Sequence, residues 1–367
     1  MLHESFSVVG AARARGRCGR HALAGAALAG LVLTPAESWA AYVPPSGYTK
    51  TELVTAGSQP INAAGIGVSS GGRLAIANGS TITLYNTWQN GRTVIGSITD
   101  STDWEFLTDM TFVGENEILV GENGKTDTAW SVDFTNSASP VAAKIAPSNS
   151  LPAIQDLALL NATTALVSGT TAAFGSAGGL YLDKLNLTTG AITPLGSNVG
   201  AGFVAAPGVT AGANGVLLDT GTAAGIAHVY NSSTGSPIHD LDLSGGGGSG
   251  AYGIAFDTAG DAFVTTGATL TEINGIDSAS PSVSSFGAFS EGAAGFPFPT
   301  GIAFTGGSFV PGDSTQTGVL LVNGGFTGDG TVFAITSVPE PAAVGLFMFA
   351  AGCLLLTRRA PSRSRYA

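Results

Sequence analysis

Carboxylates make up most of the side chains in this 367-residue sequence that could do chemistry. Asp257-Thr258-Ala259-Gly260-Asp261 sets two of them four residues apart. Calcium draws its ligands from the oxygens of such acidic loops, so Asp257 and Asp261 are the candidate metal ligands and calcium the candidate ion. The same residues also suit a tight reversal between strands, because Asp bonds its own backbone and Gly supplies φ > 0; the turn is the preferred reading. Asn323-Gly324-Gly325-Phe326-Thr327-Gly328-Asp329-Gly330 raises the same alternatives with fewer carboxylates and lacks EF-hand spacing. The densest acidic cluster is Asp100-Ser101-Thr102-Asp103-Trp104-Glu105, followed by Asp109. Paired carboxylates beside an aromatic are what sugar-processing sites use, and an exposed acidic loop is the plainer account. Glu115, Glu117 and Glu122 extend that negative surface.

Other chemistries have few residues to draw on. Between the two ends of the chain the only histidines are His228 and His239, and the only cysteines, Cys18 and Cys353, lie within the ends. A histidine-rich metal centre, thiol catalysis and a cysteine–metal site are therefore not expected. His228 alternates with apolar neighbours in Ile226-Ala227-His228-Val229-Tyr230 and reads as a strand residue rather than half of a catalytic pair with His239. Glycine-rich stretches at 175–179 and 245–250 lack the strand, helix and lysine context of a phosphate loop. No catalytic residue and no cofactor beyond a possible calcium is assigned.

Both ends read as processing segments. Arg13, Arg15, Arg17 and Arg20 precede an apolar stretch, Ala22 to Leu33, and Ser38-Trp39-Ala40 carries small residues at the two positions a signal peptidase reads. Residues 1–40 are thus a secretory signal peptide with a helical core, cut between Ala40 and Ala41. At the other end, Val338-Pro339-Glu340-Pro341 leads into an uncharged apolar run, Ala342 to Thr357, then Arg358-Arg359, Arg363 and Arg365. The run is at the short end of a membrane span, and the arginines mark the side that stays cytoplasmic. Proline lacks an N–H and restricts the residue before it, so Pro-Glu-Pro is expected to be extended and accessible.

This three-part order resembles the PEP-CTERM sorting signal of Gram-negative bacteria that make exopolysaccharide. The resemblance implies a transmembrane helix in the inner membrane, recognition of Val338, Pro339, Glu340, Pro341, Arg358 and Arg359 by an exosortase, and removal of residues 338–367. An ordinary single-span anchor is the alternative. The expected location is a membrane-anchored precursor, then the cell surface or the extracellular space.

Without its ends the chain is far more acidic. Eight of the 14 Lys and Arg residues and three of the 25 acids lie in the two end segments, leaving 6 bases and 22 acids, a net charge of −16 for residues 41–337. Such a surface repels nucleic acid and anionic lipid and tolerates divalent cations.

Within that body, short runs of alternating polarity are separated by turn signals, among them six Asn-Gly pairs at Asn78, Asn90, Asn123, Asn214, Asn274 and Asn323. Asn-Gly suits the positive-φ positions of two-residue hairpins. The clearest unit, residues 251–289, reads as four antiparallel strands. Its opening, Gly253-Ile254-Ala255-Phe256, recurs around residues 66, 110, 157, 209 and 302, with spacings of 44, 47, 52, 45 and 48. A four-strand repeat of this length predicts an all-β fold, a six- or seven-bladed β-propeller, with a β-sandwich as the alternative. Gly253, Ala255, Gly301 and Ala303 would let inner strands crowd towards the axis. Closure falls to Tyr48 to Val54 or Thr331 to Ile335.

The pattern Gly-Ile-Ala-Phe-Asp…Gly-Asp-Ala-Phe-Val-Thr at 253–265 resembles NHL and YVTN-type propellers. Some propellers resembling this class are calcium-dependent lactonases that hold the metal on the axis with Glu, Asn and Asp from separate inner strands. Here the openings are mostly Gly, Ala, Val and Ile, with Asp109 and Asp156 the only acids, one residue before the aligned apolar position. The expected function is a non-catalytic structural or binding role linked to exopolysaccharide or biofilm. The alternative is a secreted calcium-dependent propeller hydrolase of lactonase type.

Overall fold

Which faces a segment must bury decides its composition. In Thr81–Tyr85, Ile82 and Leu84 are fully buried while the residues between them keep some exposure, the alternation of a strand with one covered face. In Leu74–Asn78 four successive residues are buried, because sheets pack on both of its faces.

In the computed structural model, residues 42–54, 65–89, 91–170, 180–195, 203–205, 216–220, 226–231, 236–243, 251–257, 260–266, 269–276, 278–289, 302–304, 320–323 and 332–337 are described. The chain divides into two compact units, Met1–Glu37 and Ser38–Ala367, and every described residue belongs to the second. The signal peptide, its cleavage site and the sorting segment lie outside the described residues. Among the described residues no helix is long and apolar enough to cross a membrane.

Two short strands come first, β1 (Tyr42–Val43) and β2 (Tyr48–Val54). Blade I is β3 (Ile66–Val68), β4 (Leu74–Asn78), β5 (Thr81–Tyr85) and β6 (Val94–Thr99). Blade II is β7 (Phe106–Phe112), β8 (Glu117–Asn123), β9 (Thr128–Asp133) and β10 (Val141–Lys144). Blade III is β11 (Ile154–Asn161), β12 (Thr164–Thr170), β13 (Leu180–Asn186) and β14 (Ile192–Pro194). Blade IV is β15 (Phe203–Ala205), β16 (Val216–Thr220), β17 (Ile226–Asn231) and β18 (Pro237–Asp242). Blade V is β19 (Ala251–Phe256), β20 (Ala262–Thr266), β21 (Thr269–Asn274) and β22 (Ser282–Phe289), and the last described strands are β23 (Ile302–Phe304), β24 (Leu320–Asn323) and β25 (Val332–Ser337).

These strands form five four-stranded antiparallel sheets and one five-stranded sheet. The first strand of each meander packs on the first strand of the next, β3 on β7, β7 on β11, β11 on β15, β15 on β19 and β19 on β23, and β23 returns to β3. That closed ring of inner strands is a β-propeller, not the sandwich held as the alternative. The sequence openings at Ile66, Met110, Leu157, Ile254 and Ile302 all sit buried on inner strands. The fourth opening, Val209, lies outside the described residues; the first described strand of that sheet is β15, Phe203–Ala205.

Closure uses both ends of the chain. Strand β2 pairs with β25 from Tyr48↔Ser337 to Val54↔Val332 and completes the last sheet beside β24 and β23. Strand β1 adds a fifth strand to blade V, Tyr42 opposite Phe289. Turn chemistry follows the Asn-Gly signals: Asn78 pairs with Thr81 across a two-residue turn that Gly79 opens at φ 57°.

The apolar core is divided among the gaps between blades. Ala75, Ile82, Leu84, Trp104, Met110, Ile118 and Val132 fill the gap between blades I and II. Leu119, Leu151, Ile154, Leu157, Val167 and Leu185 fill the next. Leu53, Ile66, Ile76, Val332 and Ala334 seal the gap where the ring closes. Each gap removes apolar surface from water on two sheets at once, so no blade can bury both faces alone.

Candidate functional site

The inner strands share a defect. Between β7 and β8, Leu107 faces Glu122 and Met110 faces Val120, so β7 carries an extra residue. Between β11 and β12, Ile154 faces Gly169 and Asp156 faces Ser168; between β19 and β20, Ala251 faces Thr266 and Gly253 faces Thr265. The bulge recurs at one place in three blades, and a bulge re-aims the side chain beside it. Asp109, Asp156 and Gly253 therefore occupy matching positions, and the repeat spacing puts Gly65 of blade I there too. Hydroxyls on the second strands brace the bulges: Thr265 donates to the Gly253 carbonyl at 3.2 Å and Ser168 to that of Asp156 at 3.5 Å.

Only two of these four positions carry acids, and the ring brings them together. The carboxyls of Asp109 and Asp156 share a hydrogen bond. The Leu157 N–H donates to both, to Asp109 Oδ2 at 3.2 Å and Asp156 Oδ1 at 2.9 Å. Gly65 lies against this pair, and a Cβ there would come within 3.2 Å of the Asp109 backbone. Burial pushes the Asp109 carboxyl above the usual carboxylate range, while bonds from Asp156 and the backbone N–H groups of Leu157 and Met110 pull it back. Two carboxyls in contact titrate as one unit, and the pair holds a proton at pH values where exposed carboxylates are bare. Asp109 and Asp156 stood apart in the sequence as the only acids at the openings; that they meet depended on the bulges.

Asp257 and Asp261, the candidate calcium ligands, build a turn. Asp257 Oδ1 accepts the Asp261 N–H at 2.9 Å, and the Asp257 N–H donates to the Asp261 carbonyl at 2.9 Å, with Gly260 at φ 88°. Asp261 Oδ1 accepts the Gly275 N–H at 3.2 Å, and the Asn274 amide, its nitrogen turned inward, donates to both carboxylate oxygens at 3.2 and 3.3 Å. The two aspartates thus tie the β19–β20 turn to the one after β21. Glu272 stands close by, pushed above its usual range by burial, then by the charges of Asp261 and Asp257. Among the described residues no three His, Cys, Asp or Glu side chains converge as a metal site.

The acidic cluster of residues 100–105 is also a turn. Asp100 Oδ1 accepts the N–H groups of Thr102 and Asp103 at 2.9 and 3.0 Å, an Asx cap. Trp104 is 1% exposed and stands edge-on to Trp130 at 5.7 Å, so its ring belongs to the core and is not free to stack on a sugar. Asp103 pairs with Lys144 at 3.3 Å, and Lys144 lies 5.1 Å over the Trp130 ring.

Of the three glutamates expected on the surface, Glu115 and Glu117 are exposed and Glu122 is not. Glu122 is fully buried and collects five donors: Glu105 N at 3.1 Å, Lys125 N at 3.0 Å, Thr126 N and Oγ1 both at 2.7 Å, and Asp127 N at 2.9 Å. The loop after β8 curls its N–H groups around this carboxylate, which compensates for the water it has lost. Glu115 accepts Ser69 Oγ at 2.8 Å, Ser70 Oγ at 2.6 Å and Gly71 N at 2.6 Å, lacing blade II to blade I.

His228 and His239 lie on paired strands, but His228 faces Asp240 and His239 faces Val229, so they are not cross-strand partners. The glycine-rich stretches at 175–179 and 245–250 and the loop at 324–330 lie outside the described residues.

No protein-family model and no curated protein sequence matches this chain. Among solved structures it is similar to the PQQ-bound aldose sugar dehydrogenase of Streptomyces coelicolor, at 14% identity over 80% of this chain and 99% of that one, with a TM-score of 0.49. It is also similar to the Dos1 propeller, at 12% identity over 74% of this chain and 68% of that one, with a TM-score of 0.44. At these identities the likeness is one of fold.

Proposed function

We propose that this chain is exported, sorted through its C-terminal segment by an exosortase, and serves as a non-catalytic binding or structural module of an exopolysaccharide or biofilm matrix. The observation that carries the reading is the ordered end of the chain, Val338-Pro339-Glu340-Pro341, apolar run, Arg358-Arg359. The fold is compatible with its removal. The last strand ends at Ser337, one residue before the motif, and β1 begins at Tyr42, after the expected signal-peptide cut. Trimming both ends takes away no strand of the described ring. A non-catalytic role is supported by how the acids are used: Asp100, Glu115, Glu122, Asp257 and Asp261 accept hydrogen bonds that fasten loops.

Replacing Pro339-Glu340-Pro341 with alanines is expected to leave full-length precursor in the membrane fraction. Mature-sized protein outside the cell at its normal level would defeat the sorting reading. A calcium-dependent propeller hydrolase remains the second reading, because Asp109 and Asp156 present two carboxyls together on neighbouring inner strands. A calcium titration followed by melting temperature separates the two: saturable stabilisation abolished by Asp109→Asn favours the hydrolase.

A further inference from the structure

The seam where the ring closes holds an open cleft of about 340 Å³, lined by Thr51, Leu53, Trp88, Gln89, Ala334 and Thr336. Leu53 and Ala334, 3% and 1% exposed, belong to the apolar cluster that forms its floor. Thr51 and Thr336 come from β2 and β25, the paired strands from the two ends of the chain. Trp88 and Gln89 come from the β5–β6 connection of blade I, so the cleft exists only once the ring has closed.

Its chemistry is specific. Among the described residues no lining side chain is charged, in a body whose net charge is −16. Trp88 packs against the seam cluster, and its backbone N–H is fixed on the Gly72 carbonyl at 2.9 Å. Among the described residues neither its indole N–H nor the Gln89 side-chain amide has a hydrogen-bond partner, while Thr336 Oγ1 meets Thr49 Oγ1 at 3.0 Å. An indole offers a flat apolar face with a donor at its edge. An amide and two hydroxyls beside it both donate and accept. A sugar ring has the complementary form, an apolar C–H face rimmed by hydroxyls. The volume is at the low end of the roughly 300–1,000 Å³ of small-ligand clefts, room for a short segment of a chain. Anionic sugars meet the repulsion of the whole acidic body.

We infer that this cleft binds a short segment of a neutral polysaccharide, stacked on Trp88 and held by Gln89, Thr51 and Thr336. The inference deepens the matrix-binding reading and rests on it for the source of the sugar. Trp88 supplies its own reporter, because Trp104 and Trp130 are buried at 1% and 4% exposure. The experiment is acrylamide quenching of tryptophan fluorescence in the full chain carrying Trp39→Phe, with cellohexaose, mannohexaose and a dextran hexamer as neutral probes and a mannuronate hexamer as the anionic one. At least one neutral probe is expected to shield Trp88 saturably, and the mannuronate hexamer to leave quenching unchanged. Gln89→Ala and Thr336→Val, which keep the indole in place, are expected to weaken binding roughly three- to ten-fold each, one hydrogen bond's worth. Shielding by none of the neutral probes, shielding by the mannuronate hexamer alone, or shielding indifferent to both substitutions overturns the inference. Should the cleft fail while the Pro339-Glu340-Pro341 replacement still traps the precursor, the sorting reading stands and only the sugar site falls.

Discussion

Glu122 and Asp109 lie on adjacent strands, β8 and β7; Glu122 is fully buried and Asp109 half-buried, and their surroundings are opposite. Glu122 has five donors around it, four from the loop after β8 and the fifth the Glu105 N–H just before β7. Asp109 and Asp156 meet each other and share the Leu157 N–H, and Asp109 also accepts the Met110 N–H. A buried carboxylate is tolerated where donors replace the lost water, and where they are scarce a proton is the cheaper solution. One site is therefore a fastener whose donors are all committed, and the other a proton-holding pair at the inner edge of the ring.

The largest expected effect breaks the first half of that comparison. Glu122→Ala leaves the N–H groups of Glu105, Lys125, Thr126 and Asp127 without their acceptor inside the fold. A loss of about 3–4 kcal/mol in urea unfolding is expected, because several buried donors lose their partner at once. A loss below about 1 kcal/mol would show that the loop re-solvates freely and that Glu122 is no fastener.

Asp109→Asn tests the other half, with a smaller effect of distinct sign. The folded Asp109 carboxyl titrates above its unfolded value, so its contribution is fully present below the ordinary carboxylate pKa and is lost as pH rises through the raised one. Asn cannot ionise and still offers a hydrogen bond to Asp156. The variant is expected to match the parent near pH 4 and exceed it at pH 8, by on the order of 1 kcal/mol. Melting temperatures across pH check this; a variant less stable than the parent at pH 8 would mean that the pair is ionised and stabilising.

How far these sites could be read from the sequence depends on how local they are. The inner-strand openings at Ile66, Met110, Leu157, Ile254 and Ile302 were legible because small and apolar residues alternate there. The closing strands were legible as two alternatives, Tyr48 to Val54 or Thr331 to Ile335, because closure requires a partner from the far end, and the structure pairs the two. The turn role of Asp257 and Asp261 followed from Asp and Gly spacing alone. Three things were not legible. The meeting of Asp109 with Asp156, 47 positions apart, needs a bulge in each of two strands, and a bulge leaves no mark on a period-2 pattern. Glu122 reads as one more surface acid because four of its five donors are backbone N–H groups, which every sequence has. The fourth opening, read at Val209, lies outside the described residues, and the register that sets Phe203 opposite Thr220 had no sequence signal, because Ala201 to Gly215 is rich in glycine and alanine and carries little alternation.

The smallest effect places a third acid between the two. Glu115 is exposed, and its carboxyl is held below the usual range, chiefly by the Ser70 hydroxyl, then by the Ser69 hydroxyl, the Gly71 N–H and the charge of Arg73. Its folded pKa is depressed, so its contribution is present above the unfolded value and lost as pH falls through the folded one, opposite in sign to Asp109. Solvent screens an exposed site, so Glu115→Gln is expected to cost well under about 1 kcal/mol at pH 7, and less as pH falls through the folded pKa. Combining it with Asp109→Asn is expected to be additive in melting temperature, since the first acts between loops and the second between inner strands and they share no hydrogen-bond partner. A non-additive pair would mean that blade II, which carries both residues, transmits strain between its β7–β8 turn and its inner strand. Glu115 and the proton-holding pair would then form a single coupled unit.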